Sequence, residues 1–105
     1  MAVKSKYKIR AEVWIYPGMA GWYFVSVPKK ESARIKIDFD KQKKGWGYLP
    51  VQVTLGKTSW RTSIFPDKKS GMYLLPLKAE VRKKERILKG MKVSFLLEII
   101  PSTRD

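Results

Sequence analysis

One block of motifs occurs twice in this chain, and that repetition limits its folds more than any other feature. Ile15-Tyr16-Pro17, three residues and Gly21-Trp22-Tyr23-Phe24-Val25 are matched by Ile64-Phe65-Pro66, four residues and Gly71-Met72-Tyr73-Leu74-Leu75. Each block runs on to a proline-marked exit, a short polar segment, a glycine (Gly47 or Gly90) and a Val-rich run. Two copies about 50 residues apart are too few for a solenoid, which needs at least three. Each half alone, roughly 7–55 or 57–100, leaves an open hairpin edge. Packing the halves against one another closes a barrel and removes the unpaired strands that invite aggregation.

The local pattern agrees. Tyr7, Ile9, Ala11, Val13 and Ile15 fall on one face of a first strand, with Lys8, Arg10, Glu12, Trp14 and Tyr16 on the other. Pro17-Gly18-Met19-Ala20-Gly21 turns the chain into a second strand, Trp22 to Val27, which Pro28 stops. Lys29 to Lys41 reads both ways: Ile35 and Phe39 suit a helix face, whereas Ile35, Ile37 and Phe39 alternate as in a strand, and helix is favoured. Tyr48 to Leu55 and Ser59 to Phe65 form a hairpin about Gly56-Lys57. The turn Pro66 to Gly71 leads to a strand from Met72 to Leu77. Strong helix formers fill Lys78 to Leu88 until Gly90, and Val93 to Ile100 is the last strand. The expectation is a mainly β, single-domain, pseudo-two-fold barrel of about six strands with two short helices.

The chain has 105 residues, so it is one domain burying roughly 65% of its unfolded surface. Cys, His and Asn are absent. A Ser/His/Asp triad, a thiolate nucleophile and a zinc-thiolate centre are therefore excluded, and no metal or cofactor is expected. Lack of cysteine fits a reducing cytoplasm. No apolar run is long enough to span a bilayer, and the first ten residues lack the apolar core of a signal peptide, so the protein is read as cytoplasmic with no membrane partner. The formal charge is +14. It divides evenly: residues 1–50 hold 11 cations and 4 anions, residues 51–105 hold 12 and 5, giving +7 in each half. A charge spread this way reads first as the solvated coat of a small barrel and second as a polyanion-binding surface.

Five segments in order resemble the domain of unknown function 1905 family: Trp22-Tyr23-Phe24-Val25-Ser26-Val27-Pro28, Gly45-Trp46-Gly47-Tyr48-Leu49-Pro50-Val51, Trp60-Arg61-Thr62-Ser63-Ile64-Phe65-Pro66, Gly71-Met72-Tyr73-Leu74-Leu75-Pro76 and Gly90-Met91-Lys92-Val93. The resemblance covers about Lys6 to Ile100. It implies a double-split β-barrel, similar to AbrB-like swapped-hairpin dimers but built from one chain. It also implies members that stand alone or are fused to a second domain associated with bacteriocin protection. It supplies no catalytic or binding residues. Met91-Lys92 departs from the acidic residue that relatives often carry after the glycine.

Several short motifs invite a chemical reading. Gly56-Lys57-Thr58 is not a phosphate loop, because Val51 stands where its first glycine belongs and the stretch joins two strands. Gly45-Trp46-Gly47 lacks the third glycine and preceding strand of a dinucleotide fingerprint. Lys41, Lys43 and Lys44 beside Trp46 and Tyr48 combine cations for a phosphate backbone with rings for stacking bases, against the plainer reading of two aromatics capping the core. Arg82, Lys83, Lys84 and Arg86 form a second basic cluster, partly neutralised by Glu80 and Glu85. Trp60-Arg61-Thr62-Ser63 is the third candidate: Trp60 and Thr62 face one way for packing, Arg61 and Ser63 the other for a ligand. Ser63 as a nucleophile would require a perturbed lysine such as Lys57, and nothing in the spacing supplies one.

These features predict a non-catalytic binding module with an unidentified ligand. Nucleic acid is the first alternative partner and an acidic protein the second. A monomer is expected, since both halves lie in one chain, with edge pairing into a homodimer as the alternative.

Overall fold

A computed structural model describes residues 6–18, 21–39 and 47–100. Six strands and two helices follow in the order β1 (Lys6–Ile15), β2 (Tyr23–Ser26), α1 (Lys29–Asp38), β3 (Leu49–Leu55), β4 (Thr58–Pro66), β5 (Tyr73–Pro76), α2 (Ala79–Glu85) and β6 (Lys92–Ile99). The strands close into an antiparallel barrel in the order β1-β2-β5-β4-β3-β6. Exchanging β1 with β4, β2 with β5 and β3 with β6 leaves every neighbour relation of that ring unchanged.

Hydrogen bonds carry the two-fold to single residues. Tyr16 N–H donates to Trp22 C=O (2.9 Å), as Asp67 N–H does to Met72 C=O (2.9 Å). Tyr16 therefore corresponds to Asp67 and Trp14 to Phe65, two residues away from the Tyr16 and Phe65 match that the sequence suggests. Val27 N–H donates to Tyr73 C=O (2.8 Å), and Leu77 N–H returns the bond to Tyr23 C=O (2.9 Å). The axis passes between β2 and β5 at the Val25 and Leu75 pair, both fully buried. This pairing extends one residue past each short strand, so Val27 and Leu77 are anchored as the sequence pattern requires.

The inward residues of each strand fill one core. On β3, Leu49, Val51, Val53 and Leu55 are buried and alternate with half-exposed neighbours. Fully burying such aliphatic side chains contributes about 1.5–3 kcal/mol each, which makes this core the main source of stability. Helix is the outcome for the ambiguous segment. Ser32, Ile35 and Phe39 are buried along one helical face, whereas Ile37 stands 76% exposed, which a strand facing the core through Ile35 would not permit.

The second helix is shorter than the sequence suggests. It stops at Glu85 rather than running on towards Gly90, because Arg86 adopts a left-handed conformation (φ 54°) and the chain turns to bury Ile87. Ile87 N–H closes that cap on Arg82 C=O (2.9 Å). Gly90 serves the sheet instead, donating its N–H to Val13 C=O (2.8 Å).

Candidate functional site

Small barrels normally alternate apolar inside with polar outside, and β2, β4 and β5 break that rule. Their inward positions are apolar as expected, but the outward positions hold Phe24 on β2, Leu74 and Pro76 on β5, and Phe65 on β4. Register lines them up across the sheet: Trp14 pairs with Phe24, Phe24 with Pro76, and Phe65 with Leu74. Rings therefore gather on this outer face. Trp14 lies 5.3 Å from Phe24, Trp22 lies 6.3 Å from Phe24 and Tyr48 lies 5.9 Å from Phe65, centroid to centroid. Trp22 remains 54% exposed and Phe65 37%. An exposed apolar face of this kind is a departure from the polar coat expected of a highly charged small protein.

The face is indented by a groove of about 590 Å³. Its cause lies in the backbone. Proline has no N–H to extend a ladder, β5 ends at Pro76, and the β4–β5 register covers only Phe65 and Pro66 while β4 continues back to Thr58. A seam is left beside Trp60, Arg61 and Thr62, and its far wall is Leu77 and Lys78 where the chain enters α2. The start of β2, from Gly21 to Phe24, closes the end. The lining is mostly apolar, and its charged members are Arg61 and Lys78, both cations. Arg61 is steadied across the β3–β4 pair by donating Nε–H to Gln52 Oε1 (3.3 Å).

The sequence candidates separate on this structure. Trp60 and Arg61 both line the groove, with Trp60 buried and Arg61 exposed as their alternation requires. Tyr48 adjoins it through Phe65 on the outer face, rather than capping the core. Lys41, Lys43, Lys44 and Trp46 lie outside the described residues. Arg82 is not a free cation for a ligand. Its Nε–H donates to Leu77 C=O (3.0 Å), Nη2 reaches Gly21 C=O (3.4 Å), and the guanidinium sits 3.9 Å from the centre of the Tyr23 ring, so it clamps the end of the groove. Lys83, Lys84 and Arg86 are exposed outside the groove lining. Glu85 does not simply neutralise that cluster: its carboxylate accepts from Lys57 N–H (3.2 Å) and Thr58 Oγ1 (2.5 Å), fixing the β3–β4 turn. That bond also places Lys57 at the opposite end of β4 from Ser63, about 20 Å away at strand rise, so it cannot serve Ser63 as a base.

Sequence reading passed over Trp22, Phe24, Phe65, Leu74, Pro76 and Lys78 as a site. Their signal was large apolar residues at outward strand parity on three strands, which becomes a surface only when β2, β5 and β4 are known to be neighbours.

Among the described residues, one phenol departs from its ordinary titration range. Tyr7 on β1 is raised to about 12, first by burial, then by the negative charge of Asp38 and a hydrogen bond to it, with Arg34 opposing. Arg34 pairs with Asp38 at 3.5 Å along α1. Among the described residues no helix is long and apolar enough to cross a membrane, and no group of three acidic side chains is placed to hold a metal ion.

Residues 10–97 match the model of a family described as a domain of unknown function (DUF1905). No curated protein matches the chain.

Proposed function

Because the chain belongs to the domain of unknown function family DUF1905, whose description assigns no activity, we propose that it is a non-catalytic binding module whose ligand occupies the aromatic groove between β4 and the β5 exit. The observation that carries this reading is the outward apolar face itself. Trp22 and Phe65 stay exposed where folding stability alone favours polar side chains, so their gain must come from something they contact. Chemistry supports binding over turnover. The groove lining holds two cations and the hydroxyls of Thr62 and Tyr23, but no carboxylate to act as a base. The same reading makes the protein a cytoplasmic monomer, in keeping with a cysteine-free chain and a barrel closed from its own strands.

An apolar anionic dye, anilinonaphthalene sulfonate, tests the groove directly. Its rings match the apolar lining and its sulfonate matches Arg61 and Lys78. Wild-type protein is expected to enhance its fluorescence under native conditions, and Trp22→Ala and Phe65→Ala each to weaken that enhancement at unchanged stability. Equal enhancement by wild type and both variants would overturn the assignment. Turnover of a substrate, abolished by Arg61→Gln or Thr62→Val, would overturn the non-catalytic part.

A further inference from the structure

We infer that the occupant of this groove is single-stranded nucleic acid, its bases stacked on Trp22 and Phe65 and its phosphates held by Arg61 and Lys78. The inference rests on the groove being the binding surface and adds the ligand class. Three observations select it. First, the large exposed side chains here are aromatic rings: Trp22, Phe65 and, 6.0 Å from the Phe24 ring, Tyr16 at 44% exposure. Every base offers a π-face to such rings, whereas an aliphatic helix or strand would find no complementary knobs and holes. Second, the charge in the lining has one sign, with Arg61 and Lys78 on opposite walls, so an anionic chain can run between them. Third, the lining has only two uncharged side-chain hydroxyls, those of Thr62 and Tyr23, and the Tyr23 ring is already covered by the Arg82 guanidinium. Sequence-specific readout needs several hydrogen-bonding side chains per base, so this surface binds single strands with little base preference.

An acidic peptide satisfies the charge but not the rings. Duplex DNA satisfies the charge too, yet its bases are already stacked and present no free face to a tryptophan on a barrel wall. The single strand satisfies both.

Fluorescence anisotropy of a labelled oligo-dT strand, read from about 50 to about 300 mM salt, tests the inference. Wild type is expected to bind at the low end with a log–log salt slope near −1.4 if two phosphates are neutralised, at about −0.7 for each in a single strand. Trp22→Ala and Phe65→Ala should each weaken binding roughly five- to hundredfold while leaving that slope unchanged. Arg61→Gln or Lys78→Gln should flatten the slope by about 0.7. Lys83→Gln with Lys84→Gln removes two charges outside the groove, twice what either groove variant removes, and should still matter far less. If that pair weakens binding as much as the groove variants, or polyglutamate or duplex displaces the strand as readily as unlabelled oligo-dT, the inference is overturned. No binding of oligo-dT by a protein that still takes up the anilinonaphthalene dye through Trp22 sinks the nucleic-acid assignment and spares the groove. Loss of both removes the groove reading as well.

Discussion

The two halves of this barrel share a backbone and diverge at three matched places. Ser32 on α1 and Arg82 on α2 each follow their helix start by the same interval, since Ser32 N–H donates to Pro28 C=O and Arg82 N–H to Lys78 C=O. Both side chains also bond the carbonyl just before the helix, Ser32 Oγ to Val27 (2.8 Å) and Arg82 Nε to Leu77 (3.0 Å). From there they differ. Ser32 is wholly buried and also accepts the N–H of Tyr73 (2.9 Å), so α1 lies flush and Tyr73 is buried beneath it. Arg82 is too large for that, and its guanidinium lies over the Tyr23 ring, leaving Tyr23 half-buried at the groove end. Likewise Trp14, opposite Phe24, donates Nε1–H to Ser26 Oγ (3.0 Å), whereas the equivalent Phe65, opposite Leu74, has Pro76 in the place of Ser26, with no hydroxyl to anchor a ring. Symmetry thus builds the wall twice, and side-chain size decides which copy stays open.

Exchanging the helix residues breaks the comparison most severely. Ser32→Arg puts a guanidinium where there is no room and no counter-ion, and is expected to cost about 3–5 kcal/mol or to prevent folding. The reverse change, Arg82→Ser, loses one stacking contact and part of a hydrogen-bond pair, for about 1–2 kcal/mol. Urea midpoints measure both. Costs of equal size would mean the two positions are not different in kind.

Next in size is the carboxylate that ties each helix to the first part of a strand. Asp38 holds the Tyr7 phenol, and Glu85 holds the Thr58 hydroxyl with the Lys57 amide. Gly56, at φ +61°, leaves space that a Cβ would take from the Glu85 carboxylate. Gly56→Ala is therefore expected to cost about 2 kcal/mol from left-handed strain and a displaced carboxylate. In a Glu85→Ala background the same substitution should cost less, because the displaced group is already gone. Strict additivity in a double-mutant cycle would remove Glu85 from the turn.

The paired tyrosine gives the same comparison a pH signature. A folded-state pKa near 12 against 10 in the unfolded chain means the folded form keeps a proton that the unfolded form releases. Stability is therefore insensitive to this group below pH 10 and falls, by roughly 2–3 kcal/mol in all, as pH rises through about 12, because the buried phenolate is disfavoured. Tyr7→Phe should cost about 1 kcal/mol at neutral pH from the lost hydrogen bond and flatten the alkaline fall in stability. Thr58→Ala removes the counterpart bond without a phenol, so its alkaline limb should parallel wild type. If Tyr7→Phe also parallels wild type, the phenol is not the group responsible.

Much of this fold was legible because alternation and turn chemistry are local. Val51, Val53 and Leu55 announce a buried face by spacing alone, and the matched Tyr23 and Tyr73 announce the two-fold. Non-local facts were not legible. Arg82 reads as one cation in a basic run, yet two carbonyls and a ring supplied by other segments hold it in place. Helix α2 stops early because burying Ile87 outweighs the helix propensity of the residues around it, a tertiary demand that no window of sequence contains. The groove belongs to the same class: Trp22, Phe65 and Pro76 lie far apart in the chain and meet only through the β2–β5–β4 order.

The smallest expected change in stability is also the sharpest test of why one wall is open. Phe65→Trp with Pro76→Ser writes the Trp14 and Ser26 pair of the first half into the second. The new indole would lie across β5 and bond the new hydroxyl, for a net change under about 1 kcal/mol, since added burial offsets the conformational freedom lost. Binding should respond out of proportion, because the lid fills the volume that a stacked base or dye would use. Dye fluorescence and oligo-dT anisotropy should both fall towards background while the urea midpoint hardly moves. Retained binding by a stably folded double variant would show that the ligand does not need the space beside Phe65, and the distinction drawn between the halves would then concern packing alone.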